Sequence, residues 1–449
     1  IAAERAINEA VDRLYGNQAE VKMRKLMTDL EDEIRGPGDL ELVEAPEDFD
    51  LDALSRESGE APVIKLVNLL LTDALRRDAS DIHIEPYEKK LRVRFRIDGQ
   101  LYETMEPPKN MQQAIASRVK IMADLNISER RRPQDGRIKI RMRLDDRTRE
   151  LDLRVSTSPT IWGEKIVMRL LDPEGLKLDL ADRGFEKQSL DRFTEAIRMP
   201  YGIVLVTGPT GSGKTNTLYS ALATIKDPDT NIMTVEDPVE FDLEGINQVQ
   251  INENVGLDFA TALRSFLRQD PDVVLVGEIR DGETANIAIK AALTGHLVLS
   301  TLHTNDAPST INRMVDMGVE RFLVSSSLQL IVAQRLVRRL CKKCREVATV
   351  DPEALVEVGF APEEAMAVSV YRSVGCEYCN DTGFKGRIAL YEVMRVTQKV
   401  RDMIVNGGTN SELRALARSE GMITLRESGL VKIWQGITTV DEVLKETTL

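Results

Sequence analysis

Eight residues near the middle of the chain, Gly208-Pro209-Thr210-Gly211-Ser212-Gly213-Lys214-Thr215, have the types and spacing to hold a polyphosphate. They complete the pattern G-x-x-x-x-G-K-[ST], with the apolar run GIVLVT before it and the helix-forming run TNTLYSALATI after it. That strand-loop-helix context is what the pattern needs to act. The glycines let successive backbone N–H groups curl around an anion, and the N-terminus of the following helix adds partial positive charge. Lys214 is expected to reach the β- and γ-phosphates, and Thr215 to place its hydroxyl on Mg²⁺. The expected ligand is ATP with Mg²⁺.

Three further positions could act on a bound phosphate. Glu236 closes the run NIMTVE, Glu278 follows DVVLVG, and His303 follows HLVLSTL. In open parallel sheets ligands sit at the carboxyl ends of the strands, so all three are expected to face the phosphates. The second run departs from a common pattern: Gly277 stands where many phosphate-loop enzymes carry a metal-holding aspartate. Metal holding then falls to Thr215 and water, which frees Glu278 to polarise the attacking water, since phosphoryl transfer mainly needs positioning and charge neutralisation. His296 lies at the other end of the His303 run and is expected to cap or pack. Either glutamate could instead cap the next helix.

Cys341-Lys-Lys-Cys344 and Cys376-Glu-Tyr-Cys379 are the only cysteines of the chain. Two C-x₂-C pairs suit a closed tetrahedral Zn²⁺ site of structural type. A dithiol reading would account for one pair and leave the other without a purpose.

These groups must be positioned by a chain of 449 residues, too long for one ordinary core. The composition is 42% apolar, 4% aromatic and 30% charged, with a net charge of −13. That acidity, without basic strips studded with aromatics, argues against nucleic acid as the main partner. No apolar run approaches the roughly 20 residues that cross a bilayer, so membrane association must go through a partner or a surface. Four cysteines are too few for a disulfide scaffold, and a reducing cytoplasm is expected. The chain opens at Ile1 without an initiator methionine, as a piece of a longer protein would.

Residues 1–60 read as a charged helical segment followed by an acidic linker over Asp39–Glu60. Residues 61–175 read as a small α+β domain. In it PVIKLVNLLLTDALRR has a helical period, SDIHI is a strand, LRVRFRIDGQLY is a hairpin about Asp98-Gly99, and a second hairpin turns at Asp145-Asp146. The arginines of that second hairpin read as a solvated face. A linker is expected over 176–190. From 191 to 449 the runs GIVLVTG, NIMTVED, DVVLVGE and HLVLSTL alternate with helices, the signature of a parallel sheet covered on both faces. A cysteine-clipped excursion near 335–395 and a helical C-terminal region complete this part.

From residue 61 onward the chain resembles the secretion ATPases of type II secretion and type IV pilus biogenesis. The motifs that carry the likeness occur in order: GPTGSGKT, TVEDPVE, DPDVVLVGEIRD and TGHLVLSTLHTN, with ERRRPQDGRI and the cysteine pairs. The stretches APVIKLVNLLLTDALRRDASDIHIEPYEKKLRVRFRIDGQLYE and LRESGLVKIWQGITTVDEVLKET point to the motors that extend pili, with type II secretion motors next. The resemblance implies a RecA-like motor domain preceded by a PAS-like domain, in a homohexamer that binds ATP at subunit boundaries. It implies arginines delivered to the active site by the mobile first domain, here Arg154 and Arg169, with Arg94 and Arg96 as further candidates. It also implies a cytoplasmic protein at the inner-membrane face, acting on a membrane platform protein of the pilus machinery. A nucleic-acid translocase and a non-hydrolysing scaffold are the competing readings.

Overall fold

The computed structural model describes residues 40–42, 61–144, 147–171 and 178–447. The expectations for the first 35 residues, for most of the acidic stretch and for the Asp145-Asp146 turn lie outside the described residues. The chain divides into two compact units, residues 1–175 and 176–449.

The first unit is one antiparallel sheet with helices on one side. Its strands are β1 (Leu40–Leu42), β2 (Ala79–Pro86), β3 (Leu91–Ile97), β4 (Gln100–Met105), β5 (Gln134–Leu144), β6 (Arg147–Thr160) and β7 (Gly163–Leu171), in the order β1-β5-β6-β7-β2-β3-β4. β1 belongs to the acidic stretch read as linker; it pairs antiparallel with β5, Leu40 opposite Met142. The β3–β4 hairpin turns at Asp98 and Gly99, both at positive φ (49° and 87°). That is the geometry a two-residue hairpin requires and Asp-Gly supplies. Alternation then sorts the strands into two faces. Ile82, Ile84, Val93, Phe95, Ile138, Ile140, Leu151, Leu153, Ile166 and Met168 are buried under the helices Ala61–Arg76 and Gln112–Met122.

The opposite face is charged, and the register lines it up. Arg154 is opposite Arg169, Arg169 opposite Asp81, and Asp81 opposite Arg96, one row across four strands. Arg169 Nε donates to Asp81 Oδ1 at 3.0 Å, and Glu85 accepts from both Arg92 and Arg94. Three opposed cations hold Glu85 at a pKa of about 2 against the burial that acts to raise it. This face is an ion-pair lattice, with buried carboxylates under partly exposed arginines, rather than a row of loose arginines.

The second unit carries β8 (Gly202–Thr207), β9 (Ile232–Glu236), β10 (Asn247–Gln250), β11 (Val273–Val276), β12 (Leu297–Leu302), β13 (Leu328–Leu340) and β16 (Phe384–Arg395), in the order β10-β9-β11-β12-β8-β13-β16. All neighbours run parallel except β13 with β16. β8, β11 and β12 are buried at every position, which is why their sequences are apolar without alternation. One core lies on each face: Ile203, Leu205 and Val298 point into one, Val204, Val206 and Leu299 into the other. The expected linker differs at its C-terminal part. Leu180 is buried with Phe193, and the Phe185 ring stacks on Tyr391. Its apolar residues find a ready partner on this unit, so the chain packs from there onward. Residues 172–177 lie outside the described residues.

Between β13 and β16 the chain makes an excursion holding β14 (Glu346–Ala348), β15 (Val370–Arg372) and two short helices. Leu355, Phe360, Ala365 and Val370 pack there against Leu430, Ile433 and Val443 of the C-terminal helices. Among the described residues no helix is long and apolar enough to cross a membrane.

Candidate active site

β8 ends at Thr207 and the helix Lys214–Ile225 starts at once after the glycine loop. Gly208, Gly211 and Gly213 all take positive φ (148°, 81° and 86°). At Gly208 a Cβ would lie 2.5 Å from the Gln334 carbonyl, so this position needs glycine for space as well as for φ. Ser212 Oγ is buried and has no hydrogen-bond partner. The loop thus offers curled backbone, an unsatisfied hydroxyl and a helix N-terminus, a donor set that fits a phosphate. Lys214 lies back over the loop, its Nζ donating to Gly208 O at 2.9 Å and Pro209 O at 3.1 Å. Burial lowers its pKa to about 8, opposed by the charge of Glu278 and assisted by Arg335. An ammonium held on neutral carbonyls in a partly dry place gains most when a polyanion arrives. Thr215, Pro209 and Thr210 complete the loop as its sequence indicates.

Glu278 and His303 come together. His303 Nε2 stands 3.4 Å from Glu278 Oε2, and Arg280 donates to the other oxygen, Oε1. Arg280 also approaches Asp237 at 3.5 Å. Glu278 follows Gly277, whose missing side chain matters: a Cβ there would lie 3.2 Å from Val235 O and 3.3 Å from Glu236 Cα of β9. The two strand tips approach closely enough that a side chain at 277 would press on the β9 backbone, and the carboxylate of this strand end stands one residue on, at Glu278.

Glu236 departs from its expected orientation. It is 3% exposed, and its oxygens are taken by Tyr219 Oη, Thr234 Oγ1 (2.7 Å) and Gln248 Nε2 (3.2 Å), none of them from the phosphate loop. The strand end is where the sequence places it; the side chain points into the layer between the sheet and the helix Lys214–Ile225. It is not an N-cap either. His296, by contrast, does what a strand-start histidine was expected to do: Nδ1 donates to Ala291 O at 2.9 Å, closing the helix Gly282–Leu293. The six-residue strand Leu297–Leu302 lies between it and His303, a separation of about 23 Å. Arg154 and Arg169 lie on the charged face of the first unit.

The sequence reading missed the floor of the loop. Gln334 donates to Ser212 O at 2.7 Å and accepts from Thr217 Oγ1 at 2.8 Å. A signal was present: Gln-Arg interrupts the apolar strand LQLIVAQRLVRRL.

The four cysteines gather at the root of the excursion, their sulfurs within 4.8 Å of one another. The Sγ–Sγ separations are 3.8 Å for Cys341–Cys376, 3.8 Å for Cys344–Cys379 and 3.7 Å for Cys376–Cys379. A tetrahedron with metal–sulfur bonds of about 2.3 Å has edges of about 3.8 Å. Backbone N–H groups of Cys376 and Gly383 donate to Cys379 Sγ, and that of Gly375 to Cys344 Sγ. The residues fit a thiolate-bound ion.

A strand-loop-helix phosphate cradle at the carboxyl edge of a parallel sheet, flanked by a carboxylate and an imidazole, defines a RecA-like P-loop nucleotide enzyme. The family model for type II/IV secretion system proteins matches residues 56–445. The chain belongs to that family, the type II/IV secretion ATPases. It is 54% identical over 448 residues to the type IV pilus assembly ATPase PilB of Myxococcus xanthus, covering 100% of this chain and 77% of that one. To the type II secretion system protein E of Pseudomonas aeruginosa it is 46% identical over 446 residues, covering 99% and 86%. Among solved structures, the pilus retraction motor PilT with bound ADP is similar at 25% identity and a TM-score of 0.56, covering 85% of this chain and 96% of that one. The ATPase DotB of Legionella pneumophila is similar at 21% identity and a TM-score of 0.61, covering 90% and 97%.

Proposed function

We propose that this chain hydrolyses ATP to power pilin polymerisation in type IV pilus assembly, as a cytoplasmic homohexamer at the inner-membrane face working on a platform protein. The observation that carries the hydrolytic part is the Glu278–His303 pair beside the loop that holds Lys214. The loop Gly208–Thr215 grips the triphosphate, Lys214 leaves its carbonyls for the β- and γ-phosphates, and Thr215 would hold the Mg²⁺ that neutralises them. Glu278 orients a water whose oxygen attacks the γ-phosphorus as the bond to ADP breaks, and accepts that water's proton. His303 fixes the carboxylate and meets the γ-phosphoryl group. Arg154 and Arg169, on a PAS-like domain, supply positive charge to the site of an adjacent copy; such a finger is worth about 10³–10⁵ in rate. Glu236 holds the tip of β9 in place instead of meeting the phosphates. Cys341, Cys344, Cys376 and Cys379 would hold Zn²⁺, which would clip the excursion closed.

High identity to a pilus assembly ATPase over the whole chain supports the pilus reading. The similarity to type II secretion proteins supports a second one, in which the same engine drives a pseudopilus. A net charge of −13 disfavours nucleic acid as cargo. Purified chain should hydrolyse ATP, and Lys214→Ala should abolish turnover and weaken ATP binding; turnover surviving that change would refute the assignment of the loop. In the source cell, loss of the gene should abolish surface pili and leave protein secretion intact. The reverse pattern would select the secretion reading.

A further inference from the structure

Gln334 and Arg335 are 2% and 8% exposed, in the middle of a strand whose other residues are mostly apolar. Polar groups at such a place destabilise the fold unless their hydrogen bonds are made. Arg335 makes three: Nη1 to Gln334 O at 3.1 Å, Nη2 to Asn305 O at 3.0 Å and Nη2 to Asn305 Oδ1 at 3.2 Å. None of these partners is a carboxylate. A buried guanidinium that needed only neutralising would gain more from an acid; this one is spent on backbone carbonyls of two different segments.

The two segments are the ones that carry the chemistry. Gln334, whose carbonyl takes Nη1, is the floor of the phosphate loop; its side chain holds Ser212 O, and its carbonyl lies 2.5 Å from where a Gly208 Cβ would be. Asn305, which takes Nη2, follows His303 by two residues in the same loop. That loop has further anchors, one of them also a guanidinium: Arg414 Nη2 donates to Asp306 Oδ2 at 2.7 Å. Thr304 N donates to Thr207 Oγ1 at 2.8 Å, and Ala307 N donates to Glu392 Oε1 at 2.8 Å. Arg335 reaches from the phosphate-loop floor to Asn305.

We propose that Arg335 is a positioning residue for hydrolysis: its planar fork fixes the His303–Asn305 loop against the floor of the phosphate loop, which holds His303 at Glu278. This rests on the reading that His303 acts in hydrolysis. A guanidinium can serve two acceptors in fixed directions at once; the single ammonium of lysine keeps the charge without the fork. Displacing a reacting group by about 1 Å can cost about 10²-fold in rate, so a loop released by one strut is enough to slow turnover.

The test is a cycle of variants in the full-length chain, with kcat and KM for ATP measured for wild type, Arg335→Gln, Arg335→Lys, His303→Ala and Arg335→Gln/His303→Ala. Arg335→Gln should lower kcat about 10- to 100-fold with KM changed less than about threefold, and Arg335→Lys should recover only part of the loss. In the His303→Ala background, Arg335→Gln should cost less than about threefold more, because the residue it positions is gone. Equal losses in both backgrounds, or a KM that rises as kcat falls, would overturn the proposal. Normal kcat in His303→Ala would instead overturn the role of His303. Should Arg335→Gln lose its thermal transition, Asn305→Ala removes one acceptor from the exposed end; it should lower kcat about 3- to 10-fold in wild type and not in the His303→Ala background. An Asn305→Ala effect that persists without His303 counts against the strut.

Discussion

The phosphate loop and the cysteine cluster belong to the same unit and both form at the ends of strands, yet they are completed to different degrees. Around the cysteines, donors already face the sulfurs: three backbone N–H groups bond Cys344 and Cys379, and three Sγ–Sγ edges already match a tetrahedron. At the phosphate loop the side chains are instead paired with one another. Lys214 is bonded to its own loop, Glu278 is shared between Arg280 and His303, and Glu236 is closed off by three donors. Short local turns build the first site, so the chain can finish it alone. The second draws on four strand ends spread over about a hundred residues, and in the proposed mechanism its groups exchange partners when ATP arrives. A structural site is specified by its immediate sequence; a catalytic one is specified by what it must release.

That contrast is sharpest where the effect is largest. Replacing Cys376 and Cys379 by serine, or stripping metal with a chelator, should remove about one zinc per chain and open the excursion between Cys341 and Gly383. Structural zinc sites contribute on the order of 10 kcal/mol to folding. Metal analysis and limited proteolysis check this. Protease cuts should fall between β14 and β15, where Leu355, Phe360 and Val370 lose their cover; unchanged resistance after complete metal removal would show that the small core suffices without an ion.

The two glutamates offer the next test, since Glu278 is the one proposed to act on substrate and Glu236 is enclosed by Tyr219, Thr234 and Gln248. Glu278→Gln should keep ATP affinity within about threefold and lower kcat by about 10²–10³, with little change in Tm. Glu236→Gln should behave in the opposite manner. It turns an acceptor held by Tyr219, Thr234 and Gln248 into a partly mismatched amide, a loss of about 1–3 kcal/mol in unfolding measurements. Its kcat, measured where the variant is folded, should fall less than about tenfold. If Glu236→Gln stops turnover without loss of stability, the carboxylate must leave its pocket during the cycle, and the line between enclosed and acting groups moves.

The same division explains what could be read from the residues alone. The phosphate loop, the buried parallel strands and the cysteine set were legible because each depends on local spacing: a glycine pattern, an uninterrupted apolar run, two C-x₂-C turns. The placement of Glu278 and His303 was legible because strand ends in a parallel sheet share an edge. The inward turn of Glu236 was not, since it depends on Tyr219 and Gln248, residues that periodicity marks only as helix and strand. Nor was the edge strand Leu40–Leu42 visible inside an acidic run, because its partner β5 supplies the hydrogen bonds that propensity does not. Gln334 and Arg335 left a trace, two polar residues in an apolar strand, without saying which loops they would join.

Glu392 gives the smallest effect and lies under the loop that carries His303. It is 3% exposed, accepts from Ala307 N, and has Asp306, Arg414 and the Leu425 N–H for neighbours. Burial raises its pKa from the ordinary 4.5 to about 7; Asp306 adds to this, and Ala307 N–H, Arg414 and Leu425 N–H oppose it. A carboxyl whose folded pKa exceeds its unfolded value favours the folded state in full only below about pH 4.5. Its contribution is lost as pH rises through about 7. Glu392→Gln keeps an oxygen for Ala307 N and removes the ionisation, so it should stabilise the chain by about 1–3 kcal/mol at pH 8 and by less than about 1 kcal/mol at pH 5. Denaturant melts at the two pH values measure this. An equal shift at both would mean that packing, not charge, sets the behaviour of the site.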